Sequence, residues 1–163
     1  MDNFQKEEKK NLFSGETCKF CIKQVYEKTE KLEYISECDS TYTISVLKRK
    51  NFSELFEKID GKAVFLGLKY ESKLAGYAAM YVNDTETYIA YITLICISNE
   101  YQGLHLGSQM MEECIKIAKK AGMKQIRLQV LKQDKGAIQF YRKCGFREEK
   151  KEMQQSIFMK KIL

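Results

Sequence analysis

Apolar positions along this chain change period as the chain proceeds. Over residues 16–38, Ile22, Val25, Leu32 and Ile35 recur at roughly helical spacing among charged residues, which predicts a helix. Within that stretch Cys18, Phe20 and Ile22 alternate, so a strand is the competing reading of residues 18–26. Residues 41–47 are rich in β-branched side chains and predict an extended segment. Phe52, Leu55, Phe56 and Ile59 mark a short helix, with Asn51 or Ser53 as its cap and Asp60-Gly61 as its end. Strand-like runs then take over at 62–70, 74–82 and 87–98, broken by turns at Glu71-Ser72-Lys73 and Asn83-Asp84, which predicts an antiparallel meander. Beyond it helix and strand alternate: a helix over 106–121, a strand over 125–131, a helix over 135–144, and two closing strands over 146–150 and 154–161. Residues 1–15 read as a flexible, charge-rich arm and residues 16–163 as one domain.

Composition narrows the class. An apolar fraction of 44% with 12% aromatics in 163 residues suffices for one buried core. No run of 18 apolar residues exists and the N-terminal segment has no apolar signal-like stretch, so the expectation is a cytoplasmic protein without a membrane partner. The six cysteines fall mostly among apolar neighbours and read as reduced thiols. Cys18 and Cys21 form a C-x-x-C with no second pair, and His105 is the only histidine, so no metal site is expected. The net charge of +6 comes from lysines interleaved with glutamates, a solvated pattern, and no nucleic-acid partner is expected.

The chemistry is concentrated late in the chain. The apolar run Ile92-Thr93-Leu94-Ile95-Cys96-Ile97 leads into Gln102-Gly103-Leu104-His105-Leu106-Gly107 and then into an amphipathic helix. A glycine-bearing loop at a helix N-terminus offers unpaired N–H groups and the positive end of the helix dipole, which suits phosphate. An ordinary strand-to-helix turn is the competing reading. After the strand over 125–131, Asp134 is placed to cap a helix that carries Ala137, Phe140 and Tyr141 and that Gly145 closes.

These two motifs resemble those of the GNAT superfamily of N-acetyltransferases. The loop from Gln102 to Gly107 is similar to the Q/R-x-x-G-x-G/A pyrophosphate loop, with His105 standing where a glycine is usual. The run from Asp134 to Phe146 is similar to N-x-x-A-x-x-x-Y-x-x-x-G-F, with Asp134 in place of asparagine. The resemblance covers residues 76–146 and extends less closely to the last strand. It implies an α/β (α+β) fold: a mixed, mostly antiparallel sheet of six to seven strands, splayed after the third or fourth, with about four helices. It further implies acetyl-CoA as co-substrate, with Ile95, Cys96 and Ile97 along the pantetheine, Gln102, Gly103, Leu104, His105, Leu106, Gly107 and Ser108 at the pyrophosphate, and Asp134, Ala137 and Tyr141 completing the site.

On this reading the chain transfers an acetyl group directly to a primary amine of a small molecule or peptide, as a monomer or homodimer. A strand N–H near Ile95 is a candidate oxyanion donor. Tyr141, with an ordinary pKa of about 10, is the candidate proton donor to the leaving thiolate. Where many relatives carry a glutamate base, this strand has none; Glu86, Tyr91, Thr93 or an ordered water are the alternatives. His105, held in the phosphate loop, reads as a spacer or phosphate contact and not as a base. A non-catalytic acetyl-CoA sensor of the same fold is the alternative function.

Overall fold

The computed structural model describes residues 19–163; the arm expected at 1–15 and Cys18 lie outside the described residues. The elements run β1 (Phe20–Gln24), α1 (Lys28–Cys38), a 3-10 turn (Asp39–Thr41), α2 (Phe52–Lys62), β2 (Val64–Tyr70), β3 (Lys73–Tyr81), β4 (Ile89–Ile97), a second 3-10 turn (Asn99–Tyr101), α3 (Leu106–Lys120), β5 (Gln125–Leu131), α4 (Lys135–Lys143), β6 (Arg147–Glu152) and β7 (Ser156–Ile162). Of the two readings of residues 18–26, the strand holds, and the helix starts only at Lys28. α2 runs through Asp60-Gly61 to Lys62, slightly past its expected end; Asn51 is the N-cap residue but makes no side-chain capping bond.

The extended segment expected at 41–47 is not a strand. The Asp39 carboxylate gathers it instead: Oδ2 accepts from the Ser45 hydroxyl at 2.6 Å, and Oδ1 accepts from the backbone N–H of Val46 at 2.8 Å and of Leu47 at 3.2 Å. Three local bonds to one side chain outweigh a β-branched preference that is itself mostly a preference for packing on a sheet. The chain between α1 and α2 is thereby folded into a bend over one face of the sheet.

Seven strands form one sheet in the order β1-β2-β3-β4-β5-β7-β6. Every neighbouring pair is antiparallel except β4 and β5. Counting β1, the sheet splays after its fourth strand. Two cores sit on its opposite faces. One is covered by α1 and α2 (Tyr34, Ile35, Phe56, Ile59), the other by α3 and α4 (Met110, Met111, Cys114, Ile138). α1 and α2 are further tied by the Lys31 ammonium, only 4% exposed, which donates to Asp60 Oδ1 at 2.8 Å.

One irregularity positions the site. Ala79 pairs with Leu94 but Met80 pairs with Ile92, so Thr93 is an extra, bulged residue in β4. Regular alternation would put residues 90, 92, 94 and 96 on one face. The bulge resets it: Ala90 and Ile92 enter the core under α3 and α4, whereas Leu94 and Cys96 enter the one under α1 and α2.

Burial alone would raise the Asp39 carboxyl, but the bonds from Ser45, Leu47 and Val46 outweigh it and hold the group below the ordinary carboxylate range. Its contribution is therefore complete above the unfolded-state value of about 3.9 and is lost as pH falls through the lower folded value. Asp39→Ala should cost about 1–3 kcal/mol of unfolding free energy in urea titrations at neutral pH. The difference from the parent protein should shrink in acid.

Candidate active site

β4 and β5 share only four residue pairs, from Ile89 with Gln125 to Ile92 with Leu128. Beyond that point β4 stays on β3 as far as Ile97 opposite Gly76, and β5 stays on β7 as far as Leu131 opposite Ser156. The strands part, and a cleft of about 1480 Å³ opens through the sheet. The Ser98 N–H donates to the Ala75 carbonyl at 2.8 Å, so antiparallel alternation turns the backbone groups of Ile97 and Ile95 away from β3 and into the cleft. The Tyr42 hydroxyl stands 3.4 Å from the Ile95 carbonyl, and the Gln102 side-chain amide donates to the Ile97 carbonyl at 3.0 Å. Cys96 lies between them with the opposite orientation. Its thiol packs away from the α3 side, 3.8 Å from the Cys38 carbonyl.

The loop after β4 turns on two left-handed residues, Gly103 (φ 81°) and His105 (φ 60°, ψ 14°). His105, standing where a glycine is usual, takes the glycine-like conformation that the loop requires, which a histidine adopts at some cost. His105 is also the N-cap residue of α3, yet its side chain makes no capping bond. The helical ladder begins with the Gln109 N–H on the His105 carbonyl, which leaves Leu106, Gly107 and Ser108 with the orphan N–H groups of a first turn. No acidic residue occupies that turn, while Lys119 and Lys120 sit at the far end. This end of α3 is therefore an electropositive, donor-rich rim. Leu106, 2% exposed, pins it into the core; Leu104, 46% exposed, faces solvent and does not line the cleft. Gly107 allows the closest approach: a Cβ there would stand 3.3 Å from the Phe140 ring.

α4 supplies the opposite wall. The Asp134 carboxylate caps it, accepting from the Ala137 N–H at 3.0 Å. At its other end the Phe146 N–H donates to the Tyr141 carbonyl at 2.9 Å and the Gly145 N–H to the Arg142 carbonyl at 3.0 Å, with Gly145 at φ 88°. This is a Schellman closure, and its usual hydrophobic contact is here the Tyr141 ring on the Phe146 ring at 5.9 Å. The Tyr, Gly and Phe of the second motif are thus one mechanical unit that fixes Tyr141 beside the cleft. Burial, and then the nearby Asp134 carboxylate, push the Tyr141 hydroxyl above its ordinary value. The near-match to a proton donor expected at pKa 10 is therefore displaced upward, and Tyr141 holds its proton more firmly than the sequence implied.

The structure brings Ile95, Cys96, Ile97, Gln102, Gly103, His105, Leu106, Gly107, Ser108, Asp134, Ala137 and Tyr141 to one cleft. Of the candidate bases, Tyr91 and Thr93 line it, whereas Glu86 is exposed in the turn after Asp84 and does not. Several lining residues escaped the sequence reading, and two of them carry polar groups to the far mouth of the cleft. Tyr42, whose hydroxyl is 2.8 Å from that of Tyr77, and Arg49 both come from the bend between α1 and α2. No motif marks them, because their placement depends on the Asp39 turn. Among the described residues no helix is long and apolar enough to cross a membrane.

Comparison with known proteins agrees with this geometry. The model of the acetyltransferase (GNAT) family matches residues 25–146. An uncharacterized N-acetyltransferase of Methanocaldococcus jannaschii is 34% identical over 61 residues, which are 37% of this chain; the match spans only 27% of that relative's length. Among solved structures, the ribosomal-protein-S18-alanine N-acetyltransferase of Escherichia coli superposes with a TM-score of 0.72 at 18% identity, over 88% of this chain and 93% of that one. PaiA N-acetyltransferase of Thermoplasma acidophilum, in complex with coenzyme A, gives 0.70 at 22% identity, over 88% and 99%.

The left-handed loop residue yields a direct check. His105→Gly should leave stability unchanged or raise it by up to about 1 kcal/mol, while the β-branched His105→Val should lower it by about 1–2 kcal/mol. Thermal denaturation of the two variants side by side reads the difference.

Proposed function

This chain belongs to the acetyltransferase (GNAT) family, and from that premise we propose that it moves an acetyl group from acetyl-CoA to a primary amine by direct transfer. The observation that carries this reading is the conjunction of an interrupted strand pair with an uncapped helix N-terminus at the same opening. The first offers backbone groups to an extended amide chain; the second offers orphan N–H groups to phosphate. Acetyl-CoA has both parts, and when bound it supplies an activated thioester.

The residues have distinct tasks on this reading. The N–H groups of Leu106, Gly107 and Ser108 hold the pyrophosphate, with the left-handed turn at Gly103 and His105 aiming them. Ile95 and Ile97 pair with the pantetheine amides, and a β4 N–H near Ile95 donates to the oxygen on which charge develops. Gln102 orders the loop against Ile97, and Asp134 and Ala137 hold the start of α4. Tyr141 donates a hydrogen bond to the leaving sulfur. Its raised pKa lies above the ordinary thiol value of about 8.5, so it stabilises the thiolate while keeping its own proton. Tyr91 and Thr93 border the cleft and can order a water; neither is a base of ordinary strength, so the amine attacks in its neutral form.

Acetyl-CoA should raise the melting temperature in proportion to the logarithm of its concentration. Coenzyme A release with an amine panel separates turnover from mere binding; a shift without release would mark the chain as a sensor. Tyr141→Phe should lower kcat by about 100-fold and leave the acetyl-CoA-induced shift intact. An unchanged kcat would remove Tyr141 from the chemistry.

The pH profile follows from the same assignments. With Asp134, the cap of α4, the only carboxylate among the described residues lining the cleft, kcat/KM should climb with pH along the neutral fraction of the acceptor amine. Because burial raises Tyr141, no descending limb should appear below about pH 10. A plateau beginning near pH 5 would reveal a carboxylate base.

A further inference from the structure

The cleft passes through the sheet, and its two mouths differ. On the α3 and α4 side lies the donor-rich rim. On the other side the bend between α1 and α2 contributes Tyr42, Thr43, Ile44 and Arg49 to the lining. Ile44 is 50% exposed there, and the Arg49 side chain is exposed with no ion pair among the described residues. Asp134 is the only carboxylate among the described residues lining the cleft, and its Oδ1 is engaged by the Ala137 N–H.

This charge pattern restricts the acceptor in two ways. A polycation, such as a polyamine or an amino sugar, meets a guanidinium and no free carboxylate. Among the described residues lining the cleft an ammonium also finds no base, so the acceptor amine arrives neutral. At pH 7.5 about a third of peptide N-terminal amines (pKa about 7.8) are neutral, against roughly one in a thousand lysine side chains (pKa about 10.4). Resting on the acetyl-transfer reading above, we propose that the acceptor is the N-terminal α-amine of a peptide whose next residues carry a carboxylate, paired by Arg49, with Ile44 as an apolar contact beside it. The α-nitrogen forms the new C–N bond, the C–S bond breaks, and coenzyme A leaves as the thiol, taking up the proton that the nitrogen gives up. Arg49 touches the acceptor but not the reacting atoms; it selects.

The test uses the full chain and acetyl-CoA, with coenzyme A release as readout. Four probes are compared: a peptide with a free N-terminus followed by two aspartates, the same peptide with two lysines there, an N-blocked peptide with one internal lysine, and spermidine. The acidic peptide should exceed the blocked lysine peptide and spermidine by roughly 100-fold in kcat/KM. It should exceed the basic peptide by about tenfold, chiefly in KM. Arg49→Glu should invert that last preference, Arg49→Lys should largely keep it, and both should retain the acetyl-CoA melting shift. Equal or better use of spermidine or the blocked lysine peptide overturns the proposal, as does an acidic-to-basic ratio indifferent to Arg49→Glu. Loss of the acetyl-CoA shift in the parent protein is a different failure, since it overturns acetyl transfer itself.

Discussion

The molecule depends on a parallel pairing that stops after four residues. A sheet ordinarily gains by extending every ladder, because unpaired N–H and C=O groups away from water are costly. Here β4 and β5 abandon one another while each remains fully paired on its other side. The bulge at Thr93 makes this sustainable. It bends β4 at the point of departure and moves its apolar side chains from one core to the other, so that neither half of the strand is left without a burial partner. The opening is therefore built into the register of the sheet and does not rely on a mobile loop.

The helices flanking that opening are organised with the same polarity. α3 and α4 both end in Schellman closures, with Met123 and Gly122 donating back to Ala118 and Lys119 as Phe146 and Gly145 do to Tyr141 and Arg142. Their C-termini are self-satisfied. Their N-termini both face the opening, and there they differ: Asp134 closes α4, whereas nothing on the His105 side chain closes α3. One free set of donors thus remains between two fixed walls. Gly107 against the Phe140 ring sets how near those walls come.

Much of this was legible in the residue pattern. The period changes located the meander, α3, β5 and α4 within a few positions, because in each the burial pattern and the local propensity agree. The α3 and α4 walls of the cleft were legible for a related reason: glycine positions, a capping aspartate and a Tyr…Gly-Phe spacing are local requirements of backbone geometry. The bend at 41–47 was not, since Thr41, Thr43 and Ile44 look like strand residues until the Asp39 carboxylate is seen to bind three groups at once. Tyr42 and Arg49 were hidden with it. The bulge at Thr93 was hidden too, because it leaves the apolar pattern of β4 unbroken while changing which core each side chain enters. A pKa is likewise invisible in sequence when burial sets it, as for Tyr141.

The carbonyls of Ile95 and Ile97 are not bare. Tyr42 and Gln102 already stand at them as placeholders. A chain laid along β4 therefore exchanges hydrogen bonds instead of adding them, and each exchange is close to neutral, since even a newly made bond nets only about 1 kcal/mol. On the acetyl-transfer reading proposed above, β4 is then a ruler more than an adhesive: it would read the direction and length of an extended amide and leave residence time to the charged end at α3. A fragment cut short of its phosphates would fit this protein well and hardly stay.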